Sequence, residues 1–272
     1  MPNKSKQKRV VVKVGTNVMT NKNNRIVQPI LKQLVDQIAY LYEQDIMTVL
    51  VSSGSVIAGK EVLSNKVKVK DKSVRRQIFS AVGQPRMMRH YYSIFHDYGM
   101  RCAQVLATKR DFDPGKHRDN MIACYEGLLS EGIIPIANED DAVSLSMSMF
   151  TDNDELASLV AELIDADMMI LLTDTDGLYT GHPDDDESEL LSHVTVDQKV
   201  EQYIQENTKG EAEGRGGMES KLGVAKRTAK KDIPTFIANG KRENVIVDIV
   251  QGEDVGTRIT STDLEDEKLS LV

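Results

Sequence analysis

The chain has 272 residues, 40% of them apolar and 28% charged, with a net charge of −8 and no tryptophan. That length can bury a full core as one large α/β domain or two smaller ones, and the composition is that of an ordinary soluble globular protein. The negative balance disfavours a surface built for nucleic acid, and no stretch reaches the roughly 18–20 apolar residues that span a bilayer, so a cytoplasmic protein without membrane contact is expected.

The basic start, with Lys4, Lys6, Lys8 and Arg9, reads as a solvated tail over residues 1–8. Residues 9–14 (RVVVKV) form a buried strand that stops at Gly15 and Thr16. A lysine inside such a strand is costly unless it reaches a partner or an anion, so Lys13 is a candidate phosphate ligand; the alternative is a solvated lysine on an edge strand. Gly15 permits close backbone approach, and its N–H is a candidate anion donor. Residues 28–45 repeat at helical spacing, with Pro29 in the first turn. A second strand, 46–51, ends in Ser52, Ser53 and Gly54 before a short helix over 55–63. Hydroxyls and helix-start N–H groups together suit an anion, although N-capping alone explains one serine.

Residues 65–72 are a polar, exposed excursion. A long helical pattern over 73–98 carries Gly83 and Pro85, which predict a break or kink. A strand at 102–107, a helix at 121–131 and a strand at 133–138 follow. That last strand leads into Asn138, Glu139, Asp140 and Asp141. A helix over 152–166 opens with Asp152, Asn153 and Asp154, more polar groups than one cap needs; they suit an ammonium, an amide or a second lysine. Strand 168–173 continues into the turn-rich Thr173-Asp174-Thr175-Asp176-Gly177, a candidate ribose or base contact and good turn chemistry in its own right. The acidic run 184–187 reads as a surface loop. A glycine cluster then enters a helix with Lys221 in its first turn, where a lysine is poorly placed unless an anion is present too. A strand at 234–239, an extended 255–260 and a frayed acidic end at 262–272 close the chain.

Strands that alternate with helices and are mostly apolar throughout indicate a mainly parallel sheet covered on both faces. The polar signals fall at strand C-terminal ends, where open α/β sheets bind ligands. GxGxxG and GxxxxGK[ST] are both absent, which argues against a dinucleotide fold or a Walker loop. The five histidines show no zinc spacing, and Cys102 and Cys124 read as reduced core residues.

The ordered set VVKVGTNVMT, VSSGSVIAG, AVGQ at 81–84, ANEDDAV, TDNDELAS, LLTDTDGLY and GRGGMESK resembles the amino acid kinase family over nearly the whole chain, and within it the branch whose acceptor is glutamate. The resemblance implies an αβα three-layer sandwich in a single domain over 1–272, without the C-terminal PUA domain that many members carry. It implies ATP-dependent phosphorylation of the side-chain carboxylate of L-glutamate to L-glutamyl 5-phosphate, the first step of proline biosynthesis. Mg²⁺ would be held mainly by the ATP phosphates, proline would act as feedback inhibitor, and a homodimer or tetramer coupled functionally to glutamyl phosphate reductase is expected. By position, Lys13 and Lys221 would neutralise the transferring phosphoryl group and Asp154 would orient them. Gly15 and Thr16, with Gly54, would line the phosphate path, and Ser53, Gly54, Asp141 and Asn153 would hold the acceptor. Lys13, Gly15, Thr16, Thr173 and Asp174, with Arg215, Gly216, Gly217, Met218, Glu219, Ser220 and Lys221, would hold ATP. The chain departs from the family pattern at Asp140 (usually Asn), Thr151 (commonly Gly) and Arg215 (commonly Thr). Two alternatives stay open: a related kinase for another carboxylate such as N-acetylglutamate, and a non-catalytic nucleotide- or amino-acid-sensing domain.

Overall fold

The computed structural model describes residues 7–64, 66–143, 150, 152–181, 185, 187–203, 217–261 and 269–272. Thr151, Asp184, Asp186, Arg215, Gly216 and the segments 1–6 and 262–268 lie outside the described residues. In chain order the elements begin with β1 (Arg9–Val14), α1 (Thr16–Met19), α2 (Gln28–Glu43), β2 (Met47–Ser52), α3 (Ser55–Leu63) and α4 (Lys72–Asp97). They continue with β3 (Arg101–Ala107), α5 (Lys116–Ser130), β4 (Ile133–Glu139), α6 (Asn153–Leu163), β5 (Met168–Thr173), β6 (Leu178–Tyr179), β7 (Leu190–Leu191) and β8 (His193–Thr195). Last come α7 (Met218–Ala229), β9 (Thr235–Asn239), α8 (Val245–Val250) and β10 (Thr257–Thr260).

An eight-stranded sheet runs β3-β4-β2-β1-β5-β9-β10-β8, and β6 pairs with β7 in a separate hairpin. Every neighbouring pair in the large sheet is parallel except β9 with β10. The register sets Val14 beside Ser52 and Leu172, and Thr173 beside Asn239, so the strand C-termini share one edge.

Alternation along β1 divides the core. Val10, Val12 and Val14 pack towards α2, α4 and α8, with Leu34, Ile38, Tyr91, Phe95 and Ile249. Val11 packs on the opposite face, towards α5, α6 and α7, with Tyr125, Leu156, Val160, Leu222 and Ala225. Strand parity therefore sends Lys13 to the α6–α7 side. The result is the three-layer sandwich that the alternating pattern implied.

Several expectations change. Gly83 and Pro85 do not break a helix, because α4 runs through both. Gly83 is there for space: a Cβ would lie 1.7 Å from the Ser55 carbonyl oxygen, and one on Gly59 would lie 1.8 Å from that of Phe79. The two glycines let α3 and α4 cross with their backbones nearly in contact. Lys8 and Arg9 are not a free tail. Lys8 pairs with Asp167 at 3.3 Å, and Arg9 donates to Glu126 and to the Ile164 carbonyl. Cys124 is exposed on α5 and Cys102 half-buried on the edge strand β3, so neither is a core residue; partial burial still pushes the Cys102 thiol up to about 11. The β-branched run VIVDIV at 245–250 has the composition of a strand, yet it is helical. Its buried residues, Val245, Ile246, Ile249 and Val250, have helical spacing, and Gln37 accepts from the Ile246 N–H. No helix among the described residues is long and apolar enough to cross a membrane.

The glycine contact gives a stability prediction. Gly83→Ala is expected to cost about 3 kcal/mol or more, because the clash is with backbone that cannot rotate away. Gly127→Ala, exposed on α5 with nothing within 4 Å of the added carbon, should instead gain about 0.5–1 kcal/mol. Urea midpoints of the two variants check the pair, and equal midpoints would refute the close-packing account.

Candidate active site

The centre of the strand-end edge is Asp154, which has no solvent exposure. Lys13 Nζ lies 2.6 Å from its Oδ1 and Lys221 Nζ lies 3.0 Å from its Oδ2. Lys13 arrives from β1 by strand alternation and Lys221 from the first turn of α7. Asp154 comes from the first turn of α6, where a carboxylate also favours the helix dipole. Burial pushes the Asp154 carboxyl up, but the two ammonium groups together outweigh it and hold it below the usual carboxylate range. Burial depresses the Lys13 amine, Asp154 opposes that, and the nearby Lys221 charge depresses it further.

The three polar residues opening α6 have three different tasks. Asp152 caps the helix, its Oδ1 accepting from the N–H groups of Asp154 and Glu155, while its Oδ2 accepts from the Ser220 hydroxyl at 2.8 Å. Asn153 reaches sideways, with its amide nitrogen 3.1 Å from the Ser52 carbonyl, 3.1 Å from Ser53 Oγ and 2.8 Å from Asn138 Oδ1. Asp154 gathers the lysines. Capping explains only the first of these.

Just past the end of β4, Asp141 is buried. Its Oδ2 accepts from the Ser80 hydroxyl at 2.8 Å, and its Oδ1 lies 2.9 Å from Arg76 Nε and 2.8 Å from Arg76 Nη2. Arg76 and Ser80 were not singled out in the sequence. The signal was there, since Arg76, Ser80 and Gln84 are spaced i, i+4, i+8 along α4 and form a polar stripe against the end of β4. Gln84 completes it by donating to the Glu139 carbonyl at 3.4 Å. Asp140, the departure from the usual Asn, accepts locally from the Ala142 N–H, which an asparagine oxygen would do as well.

Gly15 is placed as expected but not for the expected reason. Its N–H donates to the Leu172 carbonyl at 3.1 Å, so that donor is not available to an anion. Its φ of −73° suits any residue, and what it offers is room. A Cβ would lie 3.2 Å from the Leu172 oxygen and 3.8 Å from Lys13 Nζ. Gly54 is the glycine that its backbone demands, with φ +95°, and its missing side chain faces Met19 and Ile26. Thr16 opens α1, and Thr20 donates to its carbonyl. Thr173 donates to Asp174 at 3.3 Å, and Asn17, not foreseen, donates to the other Asp174 oxygen at 3.2 Å. Gly217 caps α7, Glu219 is exposed beyond it, and Met218 packs on the core beside α6. Arg215 and Gly216, expected to touch a nucleotide, lie outside the described residues.

The sequence signature described as the amino acid kinase family matches residues 8–239. The glutamate 5-kinase of Bacteroides thetaiotaomicron is 40% identical over 246 residues, covering 90% of this chain and 68% of that protein. The glutamate 5-kinase of Alkaliphilus metalliredigens is 34% identical over 255 residues, covering 93% of this chain and 96% of that protein. Among solved structures, an isopentenyl phosphate kinase product complex from T. acidophilum gives a TM-score of 0.66 at 16% identity, covering 93% of this chain and 100% of that one. A UMP kinase from Bacillus anthracis gives 0.65 at 15%, covering 94% and 97%. These last two likenesses establish the fold alone.

Lys13 is expected to titrate below its ordinary value of 10.5, and lower still in Asp154→Asn, which loses the attraction opposing burial. The sign for stability follows. The unfolded chain holds that proton more tightly, so the Lys13 contribution to folding grows as pH rises from the folded value towards 10.5. NMR of the lysine side-chain carbons against pH checks both, and a Lys13 midpoint at or above 10.5 would contradict the assignment.

Proposed function

The chain belongs to the amino acid kinase family and groups with its glutamate 5-kinases, and from that premise we infer how its site moves the terminal phosphoryl group of ATP onto the side-chain carboxylate of L-glutamate. The reaction yields L-glutamyl 5-phosphate and is the first step of proline biosynthesis. The observation that carries the mechanism is the fully buried Asp154 between two ammonium groups.

The acceptor carboxyl has an intrinsic pKa of about 4.3 and is already ionised at neutral pH, so no general base is needed. The obstacle is bringing an anion up to an anionic phosphoryl group. Two lysines meet at one carboxylate, which concentrates positive charge in a place with little water to screen it. An ammonium carries three donors on a rotatable stem, so each lysine can hold Asp154 and still turn a donor to the phosphoryl oxygens in the transition state. Asp154 holds both groups in place before substrate arrives, which removes part of the entropic cost of reaching the reactive geometry. Gly15 keeps side-chain atoms away from Lys13 on the path between the two substrates.

Among the described residues no three His, Cys, Asp or Glu side chains gather as a metal site. We assign Mg²⁺ to the ATP phosphates, where it supplies charge neutralisation. Thr173, Asp174 and the start of α7 are assigned to the nucleotide, and Ser53, Asn153 and Asp141 to the amino acid. One kinase domain in the cytoplasm carries the reaction, in a homo-oligomer. The acyl phosphate product is labile, which favours a reductase as its consumer, and proline is the expected feedback inhibitor.

Lys13→Ala and Lys221→Ala are each expected to lower kcat by at least about 10²-fold with the thermal midpoint of a folded protein, because each removes charge that acts on the transition state. Glutamate-dependent ADP release, with the product trapped as hydroxamate, is the assay; near-wild-type turnover in Lys13→Ala would falsify this role. Asn153→Ala should act differently, raising the glutamate KM several-fold while the ATP KM holds. An unchanged glutamate KM would remove Asn153 from the acceptor site.

A further inference from the structure

Resting on that reading, the polar stripe of α4 goes a step further. Glutamate presents three charged groups. The side-chain carboxylate goes to the lysines and leaves an ammonium and a carboxylate on the α-carbon to be recognised elsewhere. Ser53, Asn153 and Asp141 include an acid for the ammonium but no cation for the α-carboxylate. We propose that Arg76 is the specificity residue that receives the α-carboxylate of glutamate, beside Asp141, which takes the α-ammonium.

The geometry is that of a receptor for a zwitterion. Arg76 Nε and Nη2 both lie against Asp141 Oδ1, at 2.9 and 2.8 Å, and Nη2 is 3.8 Å from Glu139 Oε2. These contacts use one edge of the guanidinium. The side chain is 35% exposed, while that of Asp141 is 4% exposed, so the open part of the pair is the arginine. A planar group with five donors keeps enough of them on its Nη1 side to take a carboxylate in a two-point contact, which lysine cannot copy.

The arginine is held in place from three directions. Ser80, one turn along α4, donates to Asp141 Oδ2 at 2.8 Å, and its Oγ lies 3.2 Å from Ser55 Oγ. Gln77 donates to the Ala142 carbonyl at 2.9 Å and ties the turn that carries Asp141 to α4. The contact of Gly83 with Ser55 and of Gly59 with Phe79 fixes how close α3 and α4 come, and with it the Ser55–Ser80 distance. A salt bridge that served only to neutralise Asp141 would not need its arginine open to solvent beside the acceptor residues.

The test uses the full chain, wild type, Arg76→Gln and Arg76→Lys, with L-glutamate and with 4-aminobutyrate, which is glutamate without its α-carboxylate. The second compound is read as a substrate or as a competitive inhibitor against glutamate. Arg76→Gln is expected to raise the glutamate KM at least about tenfold, with the ATP KM and kcat little changed. The preference for glutamate over 4-aminobutyrate should fall by a similar factor, and Arg76→Lys should recover part of it. An equal loss on both compounds would mean that Arg76 only positions Asp141, and would overturn the proposal. So would an unchanged glutamate KM. If Arg76→Gln does not fold, the same preference ratio in Arg76→Lys decides: a ratio equal to wild type overturns the proposal and a lowered one supports it. Active wild-type enzyme with an unaltered preference in the variants defeats this proposal alone, whereas no glutamate-dependent ADP release from wild type defeats the functional reading and this with it.

Discussion

A carboxylate with no access to water has to be paired, and Asp154 is paired twice. Neither lysine could sit so far from solvent alone, and the acid could not stay ionised without them. The three charges therefore stand or fall together. They come from a central strand and from the first turns of two helices, so the arrangement exists only when β1, α6 and α7 are all in place. Much of the nearby polar bonding serves that docking. Asp152 joins the start of α6 to Ser220 on α7, and Ser158 and Thr228 share a buried hydrogen bond of 2.7 Å further along the same two helices.

The proposed acceptor side follows a different logic. It is built where α3 and α4 cross against the ends of β2 and β4, and its groups are linked in a chain from Ser55 through Ser80 and Asp141 to Arg76. Lys13, Lys221 and Asp154 are nearly dry, while Arg76 beside Asp141 is partly open. That contrast suits the roles proposed for them, since fixed charge acts most strongly where water is excluded and a small polar substrate needs an entrance.

Much of this was legible in the sequence. An unexplained lysine in an apolar strand and a second at a helix start each pointed to an anion, an excess of acid before 155 suited a lysine among other partners, and the family resemblance joined them. The strand ends were legible because apolar runs that stop at serine, glycine, asparagine or threonine have few other meanings. What stayed hidden depended on contacts between distant segments. Gly83 read as a breaker because a sequence records the missing side chain but not the Ser55 carbonyl that requires it to be missing. Gly15 N–H looked available because its Leu172 partner is far along the chain. VIVDIV has strand-like composition, and burial of one helical face against α2 overrides it. Arg76 lies inside the helical pattern over 73–98 with nothing to single it out, and only the fold brings Asp141 to it.

Strand alternation sets a limit on how a chain of this kind can vary. Val12 and Val14 belong to one apolar layer, and Lys13 belongs to the other side of the sheet only because its number is odd. A segment between two elements can lengthen by one residue with little effect on either. One residue gained inside 9–13 would turn the amine into the layer of Leu34 and Tyr91 and present a valine to Asp154. The buried charge at Asp154 is thus protected by a counting rule, and a plain run of valines becomes a stretch with little tolerance for insertion.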